Sequence, residues 1–156
     1  MRDFELILAL DELTGEQEDA IYDTCDALIA GHTGSTRLTV TAQGTDVMDA
    51  AKRLLALLAS LGVTVRRFCE DFVTRGDIAA RANVSRQAVG LWVRGERLQE
   101  HPFPEVYSTA AGGIWIWGEA DRWLRDNVRG YTGDDIEFPT RGDYLALSQM
   151  LVPSPS

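Results

Sequence analysis

Two adjacent residues, Arg86 and Gln87, open a short segment, SRQAVGLWVRG (residues 85–95), in which Arg94 follows two helical turns later. Both side chains form paired hydrogen bonds with planar partners. A guanidinium presents a rigid fork of donors, and a carboxamide presents a donor and an acceptor side by side. Val89, Trp92 and Val93 fall at helical spacing on the other side, so the polar residues are left outside, with Gly90 and Leu91 on that face or its margins. Exposed arginines beside a glutamine suit the gripping of phosphates and the reading of base edges. Nucleic acid is the ligand this face suggests.

Nothing else in the chain has the spacing that catalysis requires. Asp11 with Glu12 and Asp134 with Asp135 are adjacent acids, and such pairs read as solvated surface charge. GHTGST (residues 31–36) has glycines and a histidine but neither the spacing nor the lysine of a phosphate loop, and a hairpin turn explains it better. Cys25 and Cys69 lie far apart with no CxxC pair, and His32 and His101 are isolated, so neither a metal site nor a disulfide framework is expected. Both cysteines read as buried thiols of a reducing compartment. The expectation is a protein with no enzymatic activity, no metal and no other cofactor.

Composition narrows the class further. No run of about 18 apolar residues is present, so no membrane association is expected. The opening MRDFELILALDEL does not read as a signal peptide, and the expected location is cytoplasmic. One lysine, Lys52, against 14 arginines suggests a GC-rich, bacterial genome. The 156-residue chain carries a net charge of −9, distributed as −7 over residues 1–73, +1 over 74–129 and −3 over 130–156. Residues 74–97 alone hold five arginines and two acids, so the segment with the candidate chemistry is locally basic. The acidic remainder would repel phosphates and weaken non-specific binding.

The elements that must position this face begin well upstream. Phe4, Leu6, Leu8 and Leu10 alternate as on a strand. Ile21, Cys25 and Leu28 have the i, i+4, i+7 spacing of a helix face, with acids crowding the helix start where they suit its dipole. Two strands around a Gly-rich turn follow, with Leu38 and Val40 on one face. A long helix then carries Val47, Ala51, Leu54, Leu58 and Leu61 on one side and stops at Gly62. VTVRRFCEDF (residues 63–72) supplies a last strand. The order βαββαβ is that of a ferredoxin-like α+β domain over residues 1–72.

TRGD (residues 74–77) is a capping box, with Thr74 as cap and Asp77 reaching back. A short helix through Ile78, Ala79 and Ala82 ends at Asn83, a residue that tolerates the left-handed backbone of a tight turn. Val84 plugs that turn, and Ser85 caps the helix bearing Arg86. DIAARANVSRQAVGLWV (residues 77–93) resembles a helix-turn-helix. The following HPFPEVYSTAAGGIWIWGEADRWL (residues 101–124) resembles the wing and next helix of the MerR/excisionase-like (AlpA-like) winged helix-turn-helix family. The resemblance implies hairpin strands over Phe103–Ser108 and Ile114–Trp117, a turn at Gly112 and Gly113, and a helix over Gly118–Asn127. The preceding half is similar to the ferredoxin-like region that small actinobacterial DNA-binding-like proteins place before such a module.

For residues 73–129 the resemblance therefore implies a winged helix-turn-helix that binds double-stranded DNA through the major groove. Arg86 and Gln87 would reach base edges. Thr74, Arg75, Ser85, Arg94 and Arg97 would hold phosphates, and Ser108 and Thr109 would touch the backbone from the wing. The implied function is a bacterial or phage transcriptional regulator acting as a homodimer. The wing STAAGGI (residues 108–114) has no basic residue, and Gly90 removes a side chain from the outer face. Those departures suit a weak binder, a dimer using two half-sites, or an antitoxin-like or adaptor module whose protein partner docks on the acidic N-terminal domain or tail. Trp92, Trp115, Trp117 and Trp123 are expected in the core. Residues 130–156 form an acidic tail, with Tyr144, Leu147 and Leu151 on a helix too short to stand alone. That helix must dock on its own body or on a partner.

Overall fold

Strands and helices alternate with the apolar pattern of the chain. The computed structural model describes residues 1–32, 34–97 and 100–151, an α+β protein. In chain order the elements are β1 (Arg2–Leu10), α1 (Gly15–Thr24), β2 (Asp26–His32), β3 (Ser35–Gly44), α2 (Val47–Ser60), β4 (Val65–Phe68) and β5 (Phe72–Val73). They continue with α3 (Arg75–Ala82), α4 (Arg86–Val93), β6 (Trp115–Ile116), α5 (Trp117–Asn127), β7 (Ile136–Glu137) and α6 (Arg141–Met150). Contacts divide the chain into two compact units. One is Met1–Glu70 together with the segment that starts at Asp135, and the other is Asp71–Asp134.

The first unit holds a five-stranded sheet, and along its path β2-β3-β1-β4 every neighbouring pair is antiparallel. Phe4, Leu6, Leu8 and Leu10 of β1, with Leu38, Val40 and Ala42 of β3, form one buried face. Val47, Ala51, Leu54 and Leu58 of α2 are buried as their spacing requires. The backbone of β3 runs so close to α2 that a methyl on Gly44 would fall 2.3 Å from the main-chain nitrogen of Ala50. Leu61 caps α2 half-buried, and Gly62 follows with a φ of 74°.

One helix face is shorter than its spacing suggests. Ile21 is buried in α1, but the helix stops at Thr24 because Cys25 takes extended backbone. Leu28 therefore falls on β2 and is 67% exposed. The tail differs from a separate segment at 130–156. β7 pairs parallel to β1, matching Asp3 with Ile136 and Phe4 with Glu137. Arg2 pairs with Glu137 at 3.1 Å, and α6 packs against α2 and β4 with Tyr144 and Leu147 buried. Ten residues of helix gain their stability from this packing rather than from propensity.

The second unit spans Asp71–Asp134, against the expected 73–129. Its small sheet is not the hairpin that was expected. Trp115 and Ile116 of β6 pair antiparallel with Val73 and Phe72 of β5, and Phe103–Ser108 forms no strand. Pro104 removes an amide donor from that segment and Pro102 another just before it, which disfavours a ladder there. Only Ser108 and Ile114 bridge, closing a turn in which Gly112 and Gly113 have φ of 79° and 114°. α5 starts at Trp117, one residue before the expected Gly118.

All four tryptophans are buried. Trp92 and Trp123 lie 5.4 Å apart by ring centroid, and Phe103 stands edge-on to Trp123 at 4.9 Å and to Trp115 at 5.9 Å. The indole N–H of Trp115 donates to the carbonyl of Pro104 and that of Trp123 to the carbonyl of His101, which anchors the proline segment. Asp71, buried at the head of the unit, accepts both arms of Arg81 at 2.8 and 3.2 Å, and Arg81 stacks on Trp117. No helix among the described residues is long and apolar enough to cross a membrane.

Candidate nucleic-acid interface

Local chemistry sets the angle between α3 and α4. Thr74 Oγ1 accepts from the amide of Asp77 at 3.2 Å, and the Thr74 amide donates back to Asp77 Oδ2 at 2.9 Å. That amide is the main reason the Asp77 carboxyl is held below its ordinary value, burial opposing it and Arg81 assisting. α3 ends at Asn83, with φ of 56° and ψ of 47°, a left-handed turn that a short polar side chain tolerates. The Val84 amide closes the turn on the Ala79 carbonyl at 3.0 Å, and Val84 is half-buried beneath it. Ser85 Oγ then accepts from the Ala88 amide at 3.1 Å and starts α4.

On this frame three guanidinium groups gather around two glycines. Arg86, exposed at the start of α4, lies over Gly76 of α3: a methyl on Gly76 would meet its Nε at 3.4 Å. Arg94, at the end of α4, lies over Gly90: a methyl there would meet its Nη1 at 3.1 Å and Nη1 of Arg75 at 3.9 Å. Gly90 thus lies on the face that carries Arg94, as expected, but is buried there beneath guanidinium groups. Arg75 also sits 6.0 Å from the centroid of the Trp115 ring. Its Nε is buried with no hydrogen-bond partner. Arg94 additionally pairs with Glu96 at 3.3 Å, an exposed contact of small net strength.

The other candidates are dispersed. Gln87 is exposed on the same end of α4 as Arg86, and Arg97 is exposed beyond the helix. The hydroxyls of Thr74 and Ser85 are committed to capping. Ser108 Oγ accepts from the Ala110 amide at 3.1 Å inside the uncharged turn, where Thr109 is exposed. Residue spacing does not disclose the roles of Gly76 and Gly90. One signal was present: Gly90 and Arg94 are four apart, so they share a helix face.

The arrangement can bind an anion or a planar hydrogen-bonding edge, but it contains no nucleophile paired with a base. Among the described residues no group of three or more His, Cys, Asp or Glu is placed to hold a metal ion. Comparison of the chain with models of protein families, with curated proteins and with solved structures finds no match to any of them.

Proposed function

We propose that this chain is a sequence-specific DNA-binding protein, with α4 as the helix that enters the major groove. In this reading the second unit is a winged helix-turn-helix reduced at its wing, and the first unit is a ferredoxin-like domain. The order β2-β3-β1-β4, with antiparallel pairing among those four strands, supports the latter. The left-handed turn at Asn83 between two capped helices supports the former. The observation that carries the functional reading is the placement of Arg86 over Gly76 and of Arg94 and Arg75 over Gly90 on the two helices. Arg86 and Gln87 would read bases, with each paired contact contributing about 1–3 kcal/mol of discrimination. Arg75 and Arg94 would hold phosphates, which fixes register without reading sequence. A bacterial or phage transcriptional regulator binding as a homodimer in the cytoplasm is the role this supports best.

Selection of bound sequences from random or genomic DNA tests it, followed by gel retardation on the selected fragments. The expected result is a defined motif whose retention fades with salt. Arg86→Ala with Gln87→Ala should flatten the motif while the protein stays folded, whereas Arg75→Ala should weaken all sequences alike and lower the salt slope by about one unit. Recovery of no motif at low salt would sink the proposal.

A second reading, a protein-interaction module, is favoured by one observation. Phe72 and Tyr107 are 44% and 48% exposed, and their rings lie 5.0 Å apart, tilted at 44°, beside an uncharged turn. Exposed aromatic pairs are what protein interfaces tend to be built on. In that case Phe72→Ala with Tyr107→Ala would release a bound protein, and DNA retention would be absent from the start.

A further inference from the structure

The first unit leaves part of one sheet face open. Gly44 shares a face with the buried Val40 and Ala42, and α2 passes directly against it. Side chains alternate along a strand, so the residues between these point to the opposite face. On β3 they include Arg37, Thr39 and Thr41, and the register places Ala30, Leu28 and Asp26 of β2 beside them. Asp26, Leu28, Ala30 and Arg37 are all exposed there, and Leu28 is the one large apolar side chain among them.

Register sorts this face into rows of like charge. Asp26 stands beside Thr41 and then Glu5, Leu28 beside Thr39 and Ile7, and Ala30 beside Arg37, Ala9 and Arg67. One row is acidic, one is basic, and the uncharged row with Leu28 lies between them. Asp26, Arg37 and Arg67 form no ion pair with any other described residue. The acidic and basic rows are separated by about 13 Å along the strands, so Asp26 cannot meet Arg37 of its own chain. A second copy, turned about a two-fold axis that runs along the middle row, meets both ends at once. Leu28 and Thr39 then face the same residues of the second copy. Asp26 comes over Ala30 of the second copy, one strand spacing of about 5 Å from Arg37, which a guanidinium spans. Edge-to-edge pairing of two β2 strands is the competing geometry. It is obstructed, because the Tyr22 hydroxyl accepts from the Ile29 amide at 3.2 Å.

We propose that the chain self-associates through this open face, with a second copy seated on Leu28 and Asp26 of each chain meeting Arg37 of the other. The inference names the contact of the homodimer proposed above, but it is read from the first unit alone and measured without DNA. Its failure would leave the DNA-binding reading standing, and the reverse. Sedimentation velocity of the full chain, from micromolar to near-millimolar concentration, tests it. A reversible monomer–dimer equilibrium is expected, the weak kind that a patch of this size sustains. Leu28→Lys should weaken it about tenfold or more. Asp26→Arg and Arg37→Asp should each stay monomeric, because like charges then face one another across the axis. Mixed in equal amounts, those two variants should pair with each other, since each supplies the charge that the other lacks. Thermal melts confirm that every variant is folded. The proposal is overturned if the parent chain stays monomeric throughout, or if its dimer survives Leu28→Lys undiminished. It is equally overturned if either charge swap alone dimerises like the parent, or if the mixture fails to dimerise.

Discussion

Arg94 lies across Gly90, one turn before it on α4, so closely that a methyl on the glycine would come within 3.1 Å of Nη1. The glycine has ordinary helical backbone, since it is not among the residues with positive φ. Its role is therefore space rather than conformation. Alanine at this position favours the helix by about 1 kcal/mol and costs little in packing, because the flexible end of Arg94 can move aside. Gly90→Ala should hold or raise the melting temperature by a few degrees and, on the proposed DNA reading, weaken retention several-fold by displacing Arg94 and crowding Arg75. A variant that melts lower yet binds as before would contradict this account of the glycine.

The turn at Asn83 makes the opposite demand. Its φ of 56° is a backbone conformation that costs a residue with an ordinary Cβ about 1–2 kcal/mol. Asn83→Ala should lower the thermal midpoint, and Asn83→Gly should leave it nearly unchanged. Differential scanning calorimetry of the two variants side by side separates the backbone effect from any loss of side-chain contact.

Acid should act on two helix starts. The Thr74 amide is the chief cause of the lowered Asp77 carboxyl, and the Thr45 amide is the chief cause of the lowered Asp49 carboxyl. A carboxyl lowered in the folded state stabilises the fold above its unfolded value, and the contribution disappears as pH falls through the folded value. Both groups start from 3.8, so the loss should develop below about pH 4. Urea midpoints measured from pH 7 down to pH 3 should fall less steeply for Asp49→Asn with Asp77→Asn than for the parent. Parallel curves would refute the assignment.

A buried network closes the end of the second unit. Asp121 accepts from Arg125 Nε at 2.8 Å and from the Tyr131 hydroxyl at 2.6 Å. Burial first, and then the bond to Asp121, push ionisation of the Tyr131 phenol strongly upward. Tyr131→Phe should cost about 1–3 kcal/mol, because the Asp121 carboxylate is left short of a donor. It should also leave the alkaline absorbance titration of the native protein unaltered, since the phenol does not ionise while the fold persists. A smaller titration amplitude in the folded variant would show that Tyr131 is accessible after all.

What the sequence discloses follows how local each interaction is. Thr74 with Asp77 and Ser85 with Ala88 are three residues apart, and Asn83 acts on its own backbone, so the two helices and the turn between them are legible. The long face of α2 is legible for the same reason, as is the burial of the tryptophans. β6 meets β5 from far along the chain, and Phe103–Ser108 has strand-like composition interrupted by a proline, so hydropathy suggests a hairpin that the backbone does not make. Leu28 continues the spacing of α1 only if the helix outlasts Cys25, which nothing in the pattern decides. Arg94 over Gly90 is a four-residue spacing that the sequence does show, but Arg86 resting on Gly76 and Arg75 reaching Gly90 depend on how two helices cross, and that is invisible in a list of residue types.

Because β7 and α6 return to the first unit, Asp71–Asp134 is an insertion between two parts of another fold. Vectorial synthesis then imposes an order. As the nascent chain leaves the ribosome, the early sheet must wait without Tyr144 and Leu147 while the whole inserted unit emerges and closes. The insert, with both ends anchored to one host, is the piece to excise or transplant. A circular permutant that joins Asp135 onward directly ahead of Met1 would let the host mature without that delay.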